Sequence, residues 1–305
     1  MITVFGSTNL DQIGTVSRLP KPGETVAGGT FSMAAGGKGA NQALAARRAG
    51  AEVRHVSGVG NDAFADLALA LLKADGVDLS AMKVVDGATG IAMIFVDSHG
   101  ENVIAILPGA NGAMTAADAD AALKGVSGGV MLVQQEIPQA ATERALDLAK
   151  AQGITAILNT APFLDSTAAL APKAAILIAN ETEFALLTGS GMDQLDAAMA
   201  DWAARHHQTV IVTLGGDGAR AVTAEGKAIA VPALPVKPVD TVGAGDTFCG
   251  YLAAGLDAGL DLEAAMRRAA VAASLACLKP GAQPAIPTAD EVAEVASPLR
   301  GEVGA

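Results

Sequence analysis

The sequence predicts an α/β protein in which helices cover both faces of a parallel sheet and a small β flap stands apart from it. Three observations lead there. Apolar runs of strand length alternate with amphipathic helical stretches along most of the chain, the pattern of successive strand–helix units. Those runs lack clean period-2 alternation, so both of their faces are covered. Two segments, about 12–35 and 88–108, break the alternation and form the flap of a single domain spanning residues 1–305.

The elements follow in order. Met1-Ile2-Thr3-Val4-Phe5-Gly6 starts as a strand at once, with no basic n-region or cleavage site. Thr15–Ala35 is rich in Gly, Pro and Thr and has no helical period. Val53–Val59 is a strand before a helix over about Asp62–Ala74. Thr89–Val96 and Val103–Leu107 flank Asp97-Ser98-His99-Gly100-Glu101-Asn102, a hairpin turn. With the Thr15–Ala35 segment they make a few antiparallel strands outside the main sheet. Gly129–Gln135 precedes a helix over Gln139–Gln152, and Thr155–Asn159, Ala174–Ala179 and Thr209–Leu214 are further strands. Helices over about Ala244–Ala258, Leu262–Cys277 and Ala289–Ala296 complete the pattern.

Composition narrows the function. Half of the chain is apolar (51%) and 17% is charged, which excludes disorder. Asp and Glu outnumber Lys and Arg 32 to 20, and aromatics are 3%. A nucleic-acid surface needs basic charge and stacking rings, so that class is set aside. No apolar run is long enough to span a bilayer, so no membrane role is expected. Cys249 and Cys277 sit in no C-x-x-C, and the histidines lack zinc spacing. The expected location is cytoplasmic, and an anionic ligand would be held by backbone N–H groups rather than by clustered cations.

Six segments carry chemistry. No G-x-G-x-x-G follows a strand and no Walker A occurs. The strongest segment is Asp240-Thr241-Val242-Gly243-Ala244-Gly245-Asp246-Thr247-Phe248, where small residues open a helix. The N–H groups of Gly243, Ala244, Gly245 and Asp246 would point free there, an anion hole for a phosphoryl group in flight. Asp246 could take a proton from an attacking hydroxyl; the alternative is that it merely caps the helix. Gly36-Gly37-Lys38-Gly39-Ala40-Asn41 is a second glycine-rich helix start, with Lys38 and Asn41 on one face. Asn9 and Asp11 follow the first strand and suit a hydroxyl-rich ligand. Asn180-Glu181-Thr182-Glu183, Thr213-Leu214-Gly215-Gly216-Asp217-Gly218 and Gln135-Glu136 also lie at strand ends. Six such segments on one acidic chain point to a single site on the sheet rim.

Taken together, these segments resemble the ribokinase-type (PfkB) sugar kinases. Gly6-Ser7-Thr8-Asn9-Leu10-Asp11 is similar to the family's opening strand. Pro22-Gly23-Glu24-Thr25 with Gly36-Gly37-Lys38-Gly39-Ala40-Asn41-Gln42-Ala43 resembles its first signature, and the Asp240–Phe248 segment its second. Lys279-Pro280-Gly281-Ala282-Gln283-Pro284 is similar to the family's C-terminal stretch. The resemblance runs collinearly from about Gly6 to Pro287. It implies a Rossmann-like three-layer αβα sandwich with a β-sheet lid, a homodimer through the lid, and ATP-dependent phosphorylation of a pentose primary hydroxyl, ribose at O5. Asp246 would be the base and Gly243, Ala244 and Gly245 the anion hole. Asn9, Asp11, Gly37, Lys38, Asn41 and Glu136 would bind the sugar. Asn180 and the segment Thr213, Leu214, Gly215, Gly216, Asp217, Gly218 would line the ATP site with Gly245, and Glu183 would organise Mg²⁺. Asp240 and the carbonyls of Val242, Ala276, Lys279 and Gly281 would hold K⁺. Four positions depart from the family: Ala270 beside the adenine, Ala285 where a Ser commonly completes the cation site, Asn159-Thr160-Ala161-Pro162 for Asn-Pro-Ala-Pro, and Cys249. The alternatives are a nucleoside kinase of the same fold and, outside enzymes, an idle sugar-binding protein.

Overall fold

The structure is a computed structural model and describes residues 1–299. The first half contains β1 (Ile2–Phe5), β2 (Asn9–Val16), β3 (Gly28–Gly36), α1 (Lys38–Arg48), β4 (Val53–Val56), β5 (Gly58–Gly60), α2 (Ala63–Ala68), α3 (Ala70–Ala74), β6 (Lys83–Val85), β7 (Gly90–Val96), β8 (Asn102–Leu107), α4 (Ala116–Ala122) and β9 (Val130–Val133). The second contains α5 (Gln139–Ala151), β10 (Thr155–Asn159), α6 (Thr167–Leu170), β11 (Ile176–Asn180), α7 (Glu181–Thr188), α8 (Leu195–His206), β12 (Thr209–Thr213), β13 (Ala219–Val222), β14 (Ala228–Val231), α9 (Ala244–Asp257), α10 (Leu262–Ala276) and α11 (Ala289–Leu299).

Eight strands form the central sheet in the order β14-β13-β12-β11-β10-β9-β1-β4. The six from β4 to β12 are parallel, as the unbroken apolar runs predict. Successive residues on each strand serve opposite cores. Ile2, Val4, Val130, Leu132 and Ile157 pack with α1, α9 and α10. Phe5, Met131, Val133, Ala156 and Leu158 pack with α4, α5, α7 and α8. This is the three-layer sandwich: both faces of one sheet are buried, and burial of that apolar area is the main force holding the layers.

Three local expectations differ from the structure. The Val53–Val59 run is two strands, because Lys83 N–H takes the Ser57 carbonyl (2.8 Å) and draws the chain away to pair β5 with β6. The far end of the sheet is antiparallel, because the chain reverses at Gly215–Asp217, where Leu214 N–H donates to the Gly218 carbonyl (2.8 Å) and lays β13 back on β12. The second sheet, ordered β3-β2-β7-β8, is not antiparallel throughout. Its two inner strands, β2 and β7, run parallel with Asn9 opposite Gly90, since both leave the body from the same edge.

Register brings the site together. Phe5 pairs with Val133 and Val133 with Leu158, while Asn159 pairs with Ile178 and Asn180 with Thr213. The polar segments that follow these residues therefore end on one rim. Helices α1 and α9 pack closely above it, because a Cβ on Gly250 would fall 2.5 Å from the Ala45 methyl and 2.7 Å from the Ala46 nitrogen. Gly250 lies one turn beyond Asp246, and Ala45 and Ala46 one turn beyond Asn41 and Gln42. The bare glycine thus sets the distance at which those side chains meet.

Candidate active site

Asp246 sits in the first turn of α9 and is 7% exposed. Asn41 Nδ2 donates to its Oδ2 at 2.9 Å and Gln42 Nε2 to its Oδ1 at 2.9 Å. The helix-cap alternative fails: the cap is Gly243, and no side chain bonds it. Gly243 stands at φ 77°, and a Cβ there would lie 2.9 Å from Ala282 Cα, so glycine is required on both counts. Among the described residues, the amides of Gly243, Gly245 and Asp246 have no protein acceptor. The Ala244 amide does: it donates to the Thr241 carbonyl at 3.3 Å, which removes it from the expected donor set.

Two cavities meet at this helix start. The smaller, about 150 Å³, is lined by Lys38, Asn159, Asn180, Glu183, Gly245 and Asp246 among others. The larger, about 570 Å³, shares Asn180, Thr213 and Gly245 with it and runs between apolar walls that include Leu234, Pro235, Val236 and Phe248. Gly215, Gly216 and Gly218 line the larger cleft, as do Ala270 and Ala244. Leu214 does not; it is half-buried against the core on the α4, α5, α7 and α8 face of the sheet. Asp217 is exposed outside the cleft lining.

The charged groups shape each other. Burial lifts the Asp11 carboxyl, and the neighbouring Glu136 and Asp246 lift it further against the pull of Lys38, to about 7. Burial disfavours the Lys38 ammonium, yet Asp246, then Glu136 and Glu183, outweigh it and hold Lys38 above the ordinary lysine range. Glu136 Oε2 accepts the Lys38 amide (3.0 Å) and the Ser7 hydroxyl (2.5 Å), tying the start of α1 to the end of β9. Gly37, buried, precedes that amide as the cap of α1. Asp11 Oδ2 lies against Gly36, where a Cβ would come within 2.3 Å.

Some expected residues have structural duties. Asn9 Oδ1 accepts Asn111 Nδ2 at 2.7 Å, and Asn111 also clamps both backbone groups of Thr8, so the Asn9 carboxamide is already held by the fold. Asn180 Oδ1 caps the Glu183 amide (2.8 Å), and Glu183 Oε2 accepts the Asn180 amide (3.1 Å) and the Thr160 hydroxyl (2.8 Å). Asp240 closes a loop, accepting the Val242 amide (3.0 Å) and the Gly281 amide (2.8 Å). The Val242 side chain is exposed, and the Ala276 carbonyl accepts Lys279 N–H at 3.4 Å. Among the described residues, no three His, Cys, Asp or Glu side chains converge on a metal position. Gln42, Gln134 and Asn111 carry site geometry that motif reading missed; for Gln42 the signal was its place beside Asn41 in the same helix turn.

The model of the pfkB family carbohydrate kinases matches residues 1–289. The chain belongs to this family. It is 38% identical over 297 residues to a ribokinase of Bacillus subtilis, covering 97% of this chain and 99% of that one. It is also 38% identical over 301 residues to a bifunctional ribokinase/ribose-5-phosphate isomerase A of Fructilactobacillus sanfranciscensis, spanning 96% of this chain but 56% of that longer protein. A deoxyribokinase of Salmonella typhi is 35% identical over 302 residues, 97% of this chain and 98% of its own. Among solved structures, a ribokinase of Thermotoga maritima superposes with TM-score 0.88 at 31% identity, covering 97% and 99% of the two chains. An Arabidopsis thaliana ribokinase complexed with ribose and ATP gives 0.85 at 32%, covering 96% and 97%. The chain is thus a phosphotransferase of the carbohydrate kinase type, with the ribokinase-like fold. No described helix is long and apolar enough to cross a membrane.

Proposed function

We propose that this chain transfers the γ-phosphoryl group of ATP to the primary hydroxyl of D-ribose, giving D-ribose 5-phosphate and ADP. The observation that carries this reading is the carboxylate of Asp246, held by two amides at an open helix start where the two cavities meet. The sugar lies against Asp11, Lys38, Asn41 and Glu136, with Gly37 and the Asn9 amide at its edge. ATP fills the larger cleft. Asp246 takes the proton of the hydroxyl, its oxygen bonds the γ-phosphorus, and the bond to the β-phosphate oxygen breaks as ADP leaves. The Gly243, Gly245 and Asp246 amides and Lys38 face the charge that spreads over the phosphoryl oxygens.

Glu183, with its Oε1 unbonded, suits Mg²⁺ held mainly by phosphate oxygens and water. When bound, that ion neutralises phosphate charge. For K⁺ we keep Asp240 and the carbonyls of Val242, Ala276, Lys279 and Gly281, acting on the loop that positions Gly243. That donor set is thin: both Asp240 oxygens already accept an amide, and Ala285 offers only a buried methyl. K⁺ should therefore raise turnover over Na⁺ by no more than a few-fold. The four-stranded sheet closes over the sugar as a lid. Its register puts Phe31, Met33, Met93, Phe95 and Val103 on one face, all at least 36% exposed, and a second copy covers them in a homodimer. The need for ATP and two free cysteines suit the cytoplasm.

The test is ADP release over ribose, 2-deoxyribose, fructose and adenosine. Ribose should lead in kcat/KM. A lead for 2-deoxyribose would give the second reading, favoured by the deoxyribokinase relative, and a lead for adenosine would overturn the sugar assignment.

A further inference from the structure

Behind Asp246, away from the cavity lining, lie two stacked carboxamides, Gln42 and Gln134. Gln42 and Gln134 are both 0% exposed. The Gln42 nitrogen faces two acceptors, Asp246 Oδ1 at 2.9 Å and Asn159 Oδ1 at 3.1 Å. Asn159 is itself held in that orientation, because its Nδ2 donates to the Ile178 carbonyl at 3.3 Å. The Gln42 oxygen receives Gln134 Nε2 at 2.5 Å. At the far end Gln134 Oε1 has no donor and is pressed on Gly6, where a Cβ would fall 2.0 Å from it. Every amide dipole in the row therefore points toward the carboxylate. Reversing any one would set oxygen against oxygen in a dry interior, where unpaired polar atoms are costly.

We propose that Gln134 is a positioning residue for phosphoryl transfer: it fixes which way round Gln42 stands and so keeps an N–H, not a carbonyl, on the base Asp246. This rests on the reading of Asp246 as the base. An amide donor gives up no proton near neutrality, so the row supports the carboxylate without competing for the substrate's proton.

The chemistry of position 134 tests it. Gln134→Met keeps the bulk and removes the donor. Gln134→Glu donates to Gln42 only while protonated. Gln134 is 0% exposed, with Gly6 on one side and the Gln42 carboxamide on the other, and the charged groups of the adjoining site, which act on one another, are Asp11, Lys38, Glu136, Glu183 and Asp246. Complete burial disfavours a carboxylate at 134, and a mostly acidic site adds no stabilising charge, so a glutamic acid there stays protonated well above its ordinary range. Gln134→Met should lower kcat about tenfold or more, with KM for ribose and ATP within about twofold. Gln134→Glu should approach wild-type kcat near pH 6 and fall toward Gln134→Met as pH rises to about 9, relative to wild type at each pH. Thermal melts run alongside. A kcat for Gln134→Glu that keeps a constant ratio to wild type across pH would overturn the proposal, as would losses that track unfolding or appear in KM. If Gln134→Met does not fold, the pH ratio of Gln134→Glu decides alone. Wild-type protein that phosphorylates none of the sugars would instead remove the kinase reading, and this proposal with it.

Discussion

The two halves of the cleft are built by opposite means. On the side proposed for the sugar, groups from α1, α9, β10, the chain after β9 and Ser7 hold one another through directional bonds of 2.5–3.1 Å, and charge is dense around Lys38. On the donor side, Leu234, Val236, Phe248 and Ala273 present walls of apolar atoms around glycine corners. One half selects by the position of each donor and acceptor, the other by room. Directional networks fail sharply when a member is changed, whereas a roomy wall tolerates change in proportion to volume.

Four substitutions test that contrast. Asp246→Asn should show the largest effect, a loss of about 10²-fold or more in kcat with ATP KM little changed; near-normal turnover would remove Asp246 as base. Gly243→Ala comes next, because it meets both a positive φ and the Ala282 backbone. We expect about tenfold lower kcat and a loss of roughly 1–3 kcal/mol in a denaturant titration. On the donor side, Ala273→Leu should raise ATP KM about tenfold and leave ribose KM unchanged; equal shifts in both would erase the division. The smallest effect concerns Asp11. Its native pKa of about 7 lies above its ordinary 3.8. The stability tied to its neutral form is present below about 4 and lost as pH rises through about 7. Asp11→Asn should therefore melt above wild type at pH 8, the gap closing by pH 4, while its ribose KM rises.

The same division governed what the sequence made legible. Strands such as Thr155–Asn159 were read to the residue because their apolar runs are local. Gly243 to Asp246 stood out because a helix start lined by small residues is a local pattern as well. Gln42 and Gln134 did not, since a glutamine takes its meaning from partners 92 and 204 residues away. Asn9 suggested a ligand contact; that its carbonyl also meets Asn111, 102 residues on, was not legible. The glycines of 215–218 were read as a ligand loop and also turn the chain back to build the antiparallel edge. The parallel pairing of β2 with β7 rests on a contact no local window contains.

One joint has a consequence for how ATP is conserved. Strand β3 ends at Gly36 and α1 begins at Lys38, with Gly37 alone between them. In the proposed kinase, a swing of the four-stranded sheet would reach the Lys38 ammonium and the amides of Asn41 and Gln42 on Asp246 through that single residue. A raised sheet would then leave a bound nucleotide beside a loosened acceptor site, with no poised partner for a stray water molecule.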